Sequence, residues 1–235
     1  MAQHVGIVAC SAEGAALCYR TIALEAQATM GEHGHPRVTL DSIPMAEHMD
    51  FIRAGDWAGV GELLLDSARR VASAGATFAI CPDNTVHQAF PYFVARSPIP
   101  FLHIAEVVAD EAARRGFRKL AILGTRYLME STVYPGALAP RGMGWEIPDA
   151  EDRERINTII FRELVNGVFP EGSRLYLNDV IAALAARGCD GAALVCTELP
   201  LIVRPDDAPL PTLDSTRLLA RAAIARAIDG KEIRS

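Results

Sequence analysis

No stretch of this chain approaches the roughly 18 consecutive apolar residues that a membrane helix needs. Its start, Met1-Ala-Gln-His-Val, lacks the basic segment and long apolar core of a secretion signal. A cytoplasmic protein with no membrane partner is therefore expected. Positive charge is also scarce: 23 Lys and Arg stand against 29 Asp and Glu, a formal net charge of −6 with no basic run. That balance excludes a nucleic-acid surface. Cysteine is sparse and unpatterned. Cys10, Cys18, Cys81, Cys189 and Cys196 make an odd number without CxxC or Cys/His metal spacing, so they read as free thiols in a reducing compartment and no metal site is expected. The glycine patterns of Walker and dinucleotide loops are missing, which removes the usual nucleotide cofactors.

What remains is a chain of 235 residues, half of them hydrophobic, enough to bury the core of one large domain or two small ones. Val5-Gly-Ile-Val-Ala9 reads as a buried strand running into Cys10-Ser11-Ala12-Glu13-Gly14, with helical periodicity from Ala15 to about Met30. A second strand spans Arg37 to Ile43. Trp57, Val60, Leu64, Ala68 and Val71 make one helix face that stops at Gly75, and Ala76 to Ile80 is a third strand ending at Cys81-Pro-Asp-Asn-Thr-Val-His87. The pattern then restarts. A helix from Ile104 to Arg115, a strand Leu120–Leu123 ending in Gly124-Thr125, and a helix from Tyr127 to Leu138 are followed by a short strand at Trp145 to Ile147. Helices through Ile156, Ile160 and Leu164 and from Ser173 to Ala186 lead to the run Gly191-Ala-Ala-Leu-Val-Cys196-Thr-Glu-Leu-Pro200. Four apolar residues are too few for a helix and suit a parallel strand covered on both faces, with Cys196 at its carboxyl end. A last helix runs through Leu218, Ala222, Ala225 and Ile228.

The second half repeats the first. Val5–Ala9 matches Leu120–Gly124, and Asp83 matches Cys196 at nearly the same offset. The expected fold is α/β, with two pseudo-symmetric three-layer domains of mostly parallel strands and an active site in the cleft between them. The first domain is expected over 1–101 plus 212–235, its C-terminal helix packing back, and the second over 102–211. Asn, Thr and exposed backbone N–H groups at a helix start suit a substrate carboxylate, and the same surroundings favour a thiolate. Cys196 is thus placed to react.

Asp83-Asn-Thr-Val-His87, Cys196-Thr-Glu-Leu-Pro200, Gly6-Ile-Val and Leu123-Gly-Thr125 together resemble the aspartate/glutamate racemase family, whose motifs run Cys-Asn-Thr-Ala-His and Gly-Cys-Thr-Glu-Ile-Pro. The resemblance implies a cofactor-independent isomerase, commonly a homodimer, that removes the α-proton of an amino acid with one residue and returns a proton to the opposite face with another. It maps Cys196 onto the second catalytic cysteine and Asn84, Thr85, Thr125 and Thr197 onto positions that hold the substrate carboxylate. Ser11 lies in a loop that approaches the substrate. His87 and Glu198 orient the site rather than react, and Glu198 also suits a helix-capping carboxylate.

The departures are as informative. Asp83 stands where the family has its first catalytic cysteine, which points to a two-base racemase with a thiol on one face of Cα and a carboxyl group on the other. Cys81 and Cys10 are alternative second bases. The resemblance implies an acidic amino acid as the default substrate, but His48 and Val165 fall where the family often carries a basic residue for an acidic side chain, so a neutral substrate is also compatible with this sequence. Two other readings stay open: a single-cysteine decarboxylase or cis-trans isomerase of the same fold, and a non-catalytic protein that binds small carboxylates.

Overall fold

All five residues of Val5–Ala9 are buried, and because neighbours on a strand face opposite ways, both faces of this strand, β1, are covered. The computed structural model describes residues 2–230, so Met1 and 231–235 of the expected first domain lie outside the described residues. The chain divides into two units, residues 2–104 with 216–230 and residues 105–215. In the first, β1 leads into α1 (Ala12–Glu25) and α2 (Gln27–Met30), and β2 (Val38–Ser42) pairs parallel to β1 with Ile7 opposite Leu40. Next come α3 (Met45–Ala54) and α4 (Trp57–Ser73). Asp56 caps α4 by accepting from Gly59 N at 2.8 Å, and the helix buries Val60, Leu64, Leu65, Ala68 and Val71. β3 (Phe78–Ile80), a 3-10 turn (Thr85–Ala89), α5 (Phe90–Phe93) and β4 (Phe101–Leu102) complete a parallel sheet in the order β2-β1-β3-β4.

From α6 (Ile104–Arg114) the chain builds the second unit: β5 (Lys119–Leu123), α7 (Arg126–Met129), α8 (Val133–Leu138), β6 (Gly144–Glu146), α9 (Ala150–Arg162), α10 (Glu171–Ala186), β7 (Gly191–Leu194), α11 (Leu199–Ile202) and β8 (Thr212–Asp214). Its sheet, β6-β5-β7-β8, is again all parallel and repeats the strand order of the first. Ala121, Leu123, Ala192 and Leu194 from the strands pack with Ile156, Ile160, Leu177 and Ile181 from α9 and α10. The chain then returns to the first unit as α12 (Ser215–Asp229), where Gln3 N donates to Ala227 O at 2.8 Å and Arg221 pairs with Glu25 of α1 at 2.6 Å. The helices leading into β3 and β7 end alike. Gly75 and Gly188 take positive φ, and the amides after them, Ala76 N and Cys189 N, reach back to Val71 O and Leu184 O.

The α/β class and the paired parallel sheets follow the sequence, with local differences. α1 starts at Ala12 rather than Ala15, because Ser11 caps it by accepting from Gly14 N at 3.3 Å. Met45-Ala-Glu-His48 opens a helix; its pattern is faint because only His48 and Ile52 of α3 are buried. The single helix expected from Tyr127 to Leu138 is two. Ser131 Oγ donates to Leu128 O at 2.7 Å and accepts from Val133 N at 3.2 Å, closing one helix and opening the next.

A Cβ on Gly6 would sit 2.7 Å from Val71 Cγ2, so β1 and α4 approach through this glycine. Gly6→Ala should cost about 1–3 kcal/mol through overpacking. Urea unfolding should show a smaller cost in a Val71→Ala background, where the obstructing methyl groups are gone.

Candidate active site

In parallel sheets the loops leaving the carboxyl ends of the strands carry the chemistry. In the first unit these loops follow β1 and β3. Asp83, half-buried, accepts through Oδ1 from Thr85 N at 2.9 Å and Val86 N at 3.4 Å, a turn that opens the 3-10 helix and fixes the carboxyl group against the backbone. Asn84 is buried, its carbonyl accepting from His87 N at 3.2 Å, and Thr85 O accepts from Gln88 Nε2 at 3.3 Å. Cys10 and Cys81 are both buried free thiols. Contact with Cys81, then burial and the Asp83 charge, push the Cys10 thiol well above its ordinary pKa, so it keeps its proton.

The role of His87 is decided by its two partners. Ile104 N–H donates to Nε2 at 3.3 Å, so Nε2 bears no proton, and Nδ1–H therefore donates to Asp83 O at 2.7 Å. The ring is stacked on Phe90 with centroids 4.2 Å apart and meets His103 edge-on. Burial, then His103, pull its pKa well below 6.5. His87 is a neutral strut under the Asp83 loop, and His103 is a neighbour that nothing in the sequence marks. His48, on α3, is 2 % exposed with no hydrogen-bond partner at either ring nitrogen, and burial brings its pKa to about 4. It carries no charge at neutral pH. Ser11 keeps its hydroxyl proton to donate while its oxygen caps α1.

In the second unit the loops follow β5 and β7. A Cβ on Gly124 would lie 2.8 Å from Val195 Cγ2, so only glycine lets the Thr125 loop lie against the Val195-Cys196 turn. Buried Thr125 caps α7, its side chain accepting from Leu128 N at 3.3 Å. Cys196 is half-buried, and its Sγ–H donates to Glu198 Oε2 at 3.0 Å; Thr197 Oγ1 donates to the same oxygen at 2.8 Å. Glu198 is 4 % exposed and makes no side-chain cap to α11, so the capping alternative gives way to a carboxylate facing the thiol. Val165 lies at an exposed position in the 3-10 turn Leu164–Asn166. Among the described residues, no group of three or more His, Cys, Asp or Glu is arranged to hold a metal ion, and no helix is long and apolar enough to cross a membrane.

The family model described as Asp/Glu/Hydantoin racemase matches residues 7–223. The chain belongs to this family. A crystal structure from Yersinia pestis, provisionally described as an Asp/Glu racemase, is 34% identical with a TM-score of 0.88, covering 96% of this chain and 99% of that one. An aspartate racemase homologue from Pyrococcus horikoshii OT3 is 27% identical with a TM-score of 0.84, covering 97% of this chain and 100% of its own. The broad specificity amino-acid racemase RacX of Bacillus subtilis (strain 168) is 22% identical over 192 residues, 81% of this chain and 82% of its own. Within the racemase family's shared fold, both motifs of this chain sit at the ends of central strands, β3 and β7.

In this racemase-family chain four histidines of the first unit have lowered pKa values, chiefly through burial: His48 and His103, both near 4, His87 and His4. Their folded values lie below the unfolded value of about 6.5, so the unfolded state takes up protons first as pH falls. The stability tied to their neutrality is complete above about pH 6.5 and drains away toward pH 4, by on the order of a few kcal/mol in all. Urea midpoints should drop steeply across that window, and His48→Phe should flatten the slope; an unchanged midpoint at pH 4.5 would contradict the buried, neutral state.

Proposed function

We propose that the chain is a cofactor-independent amino-acid racemase, working in the cytoplasm as a homodimer, with Cys196 and Asp83 as its two acid/base groups. The hydrogen bond from Cys196 to the buried Glu198 carboxylate carries this reading, because it fixes the direction of the thiol at the end of β7. In one direction the Asp83 carboxylate removes the α-proton, and the Cys196 thiol delivers its own proton to the opposite face of the carbanion. In the other, the Cys196 thiolate removes the proton and the Asp83 carboxylic acid returns one. Glu198 is the positioning residue that accepts the hydrogen bond of the thiol and fixes its orientation.

Asn84, Thr85, Thr125 and Ser11 hold the substrate carboxylate through their side chains or the N–H groups of their turns. Thr197 acts through its backbone, since its hydroxyl proton is committed to Glu198. An uncharged His48 and an apolar Val165 at the proposed side-chain position favour neutral amino acids over acidic ones. The Bacillus relative is a broad specificity amino-acid racemase, which accords with substrates beyond aspartate and glutamate.

Deuterium should enter Cα from solvent starting from either enantiomer. Cys196→Ala should abolish exchange, and Asp83→Ala should slow it about 10²-fold or more. Exchange at the native rate in Asp83→Ala would remove that carboxyl group from the reaction. A panel of amino acids followed by chiral chromatography should show turnover of neutral side chains; turnover confined to aspartate and glutamate would refute the preference.

A further inference from the structure

β4 pairs parallel to β3 with Leu102 opposite Ile80, so His103 leaves the sheet of the first unit at the same carboxyl-terminal edge as the Asp83 loop, one residue before α6 begins. Its ring meets His87 edge-on, with centroids 4.6 Å apart, and Phe90 in the same way at 4.7 Å. Because Nδ1–H of His87 donates to Asp83 O at 2.7 Å, a single ring stands between His103 and the backbone of the proposed carboxyl base. The amide that follows His103, Ile104 N–H, is spent on His87.

The two ring nitrogens of His103 have different surroundings. The residue is half-buried, and Nδ1 is buried without a hydrogen-bond partner among the described residues, which leaves Nε2 on the exposed edge. A buried N–H with no acceptor is rarer in folded proteins than an under-used lone pair, so the proton belongs on Nε2, where water or a ligand can accept it. Burial brings the pKa of the ring to about 4, so it takes up no second proton at neutral pH. His103 therefore offers one outward N–H, held in direction by two aromatic neighbours, and no charge.

Removing the α-proton of an amino acid drives an electron pair into its carboxylate, whose oxygens gain negative charge as the enediolate forms. Donors aimed there strengthen in the transition state, and a neutral imidazole is too weak an acid to surrender its proton to the oxygen. We infer that His103 is a further substrate-binding residue whose Nε2–H donates to the carboxylate of the amino acid as the α-proton leaves, a role that rests on the racemase reading. The other donors are hydroxyls, an amide and backbone N–H groups of the neighbouring turns; the imidazole adds a rigid one from the adjacent strand.

His103→Phe keeps a ring against His87 and Phe90 but has no donor, so it separates this role from packing. Exchange at Cα should fall about 10²-fold in kcat, with KM raised far less, as for the loss of one donor to a developing oxyanion. A direct readout is the nitrogen NMR resonance of Nε2 in the isotopically labelled full chain, assigned by its loss in His103→Phe. α-Aminoisobutyrate, an amino acid with no α-proton and a neutral side chain, should shift that resonance on titration. An Nε2 resonance that this probe leaves unmoved overturns the inference, and so does native exchange in His103→Phe. A shift at Nε2 in a chain that exchanges the α-proton of no amino acid upholds the contact and overturns the racemase reading instead.

Discussion

One oxygen of Glu198 accepts two hydrogen bonds, from Cys196 at 3.0 Å and from Thr197 at 2.8 Å, and much of the second unit serves to keep it there. A carboxylate this deeply buried is destabilised unless donors meet it, so the two neighbours settle its position as firmly as it settles theirs. The turn that carries all three residues hangs from β7, whose register is set at both ends. Asp190 accepts from Arg118 N and Lys119 N before the strand, and Val195 N donates to Leu123 O after it. Behind the strand, Ser215 Oγ donates to Leu194 O. The absence of a side chain at Gly124 completes the arrangement by leaving room for Val195.

The first unit solves the same problem with different atoms. Its carboxyl group stands at the end of β3, and backbone amides supply the fixed donors that side chains supply around Glu198. His87 ties the carbonyl of Asp83 to the amide of Ile104, so the loop is braced against the start of α6 by a ring that stays uncharged. A charged imidazole could not accept from Ile104 N, which is why burial of this side chain matters to the shape of the loop as well as to its stability.

Much of this was legible in the residues. Apolar runs bounded by Gly, Asn and Thr located the central strands, because strands buried on both faces need no polar alternation. The helix faces of α4, α9 and α10 followed from their spacing. The edge strands β4 and β8 did not, being two and three residues long and defined by the neighbours they pair with. Asp83, Cys196 and the hydroxyl residues around them stood out as a repeated pattern. The proton arrangement did not, since Glu198 two positions after a cysteine is equally compatible with capping a helix, and only the side-chain conformation decides. His103 and the Gly124–Val195 contact were invisible for a similar reason: they act through neighbours that are remote in the chain or ordinary in type.

The second unit is one uninterrupted segment, whereas the first is assembled from 2–104 and 216–230. During synthesis the β5-to-β8 sheet can therefore close as soon as its last strand leaves the ribosome, while the earlier sheet still waits for α12 to cover Phe78 and reach Glu25. A nascent chain stalled just after Ser215 would hold every residue of the unit that bears Cys196, while the unit that bears Asp83 still lacked its closing helix.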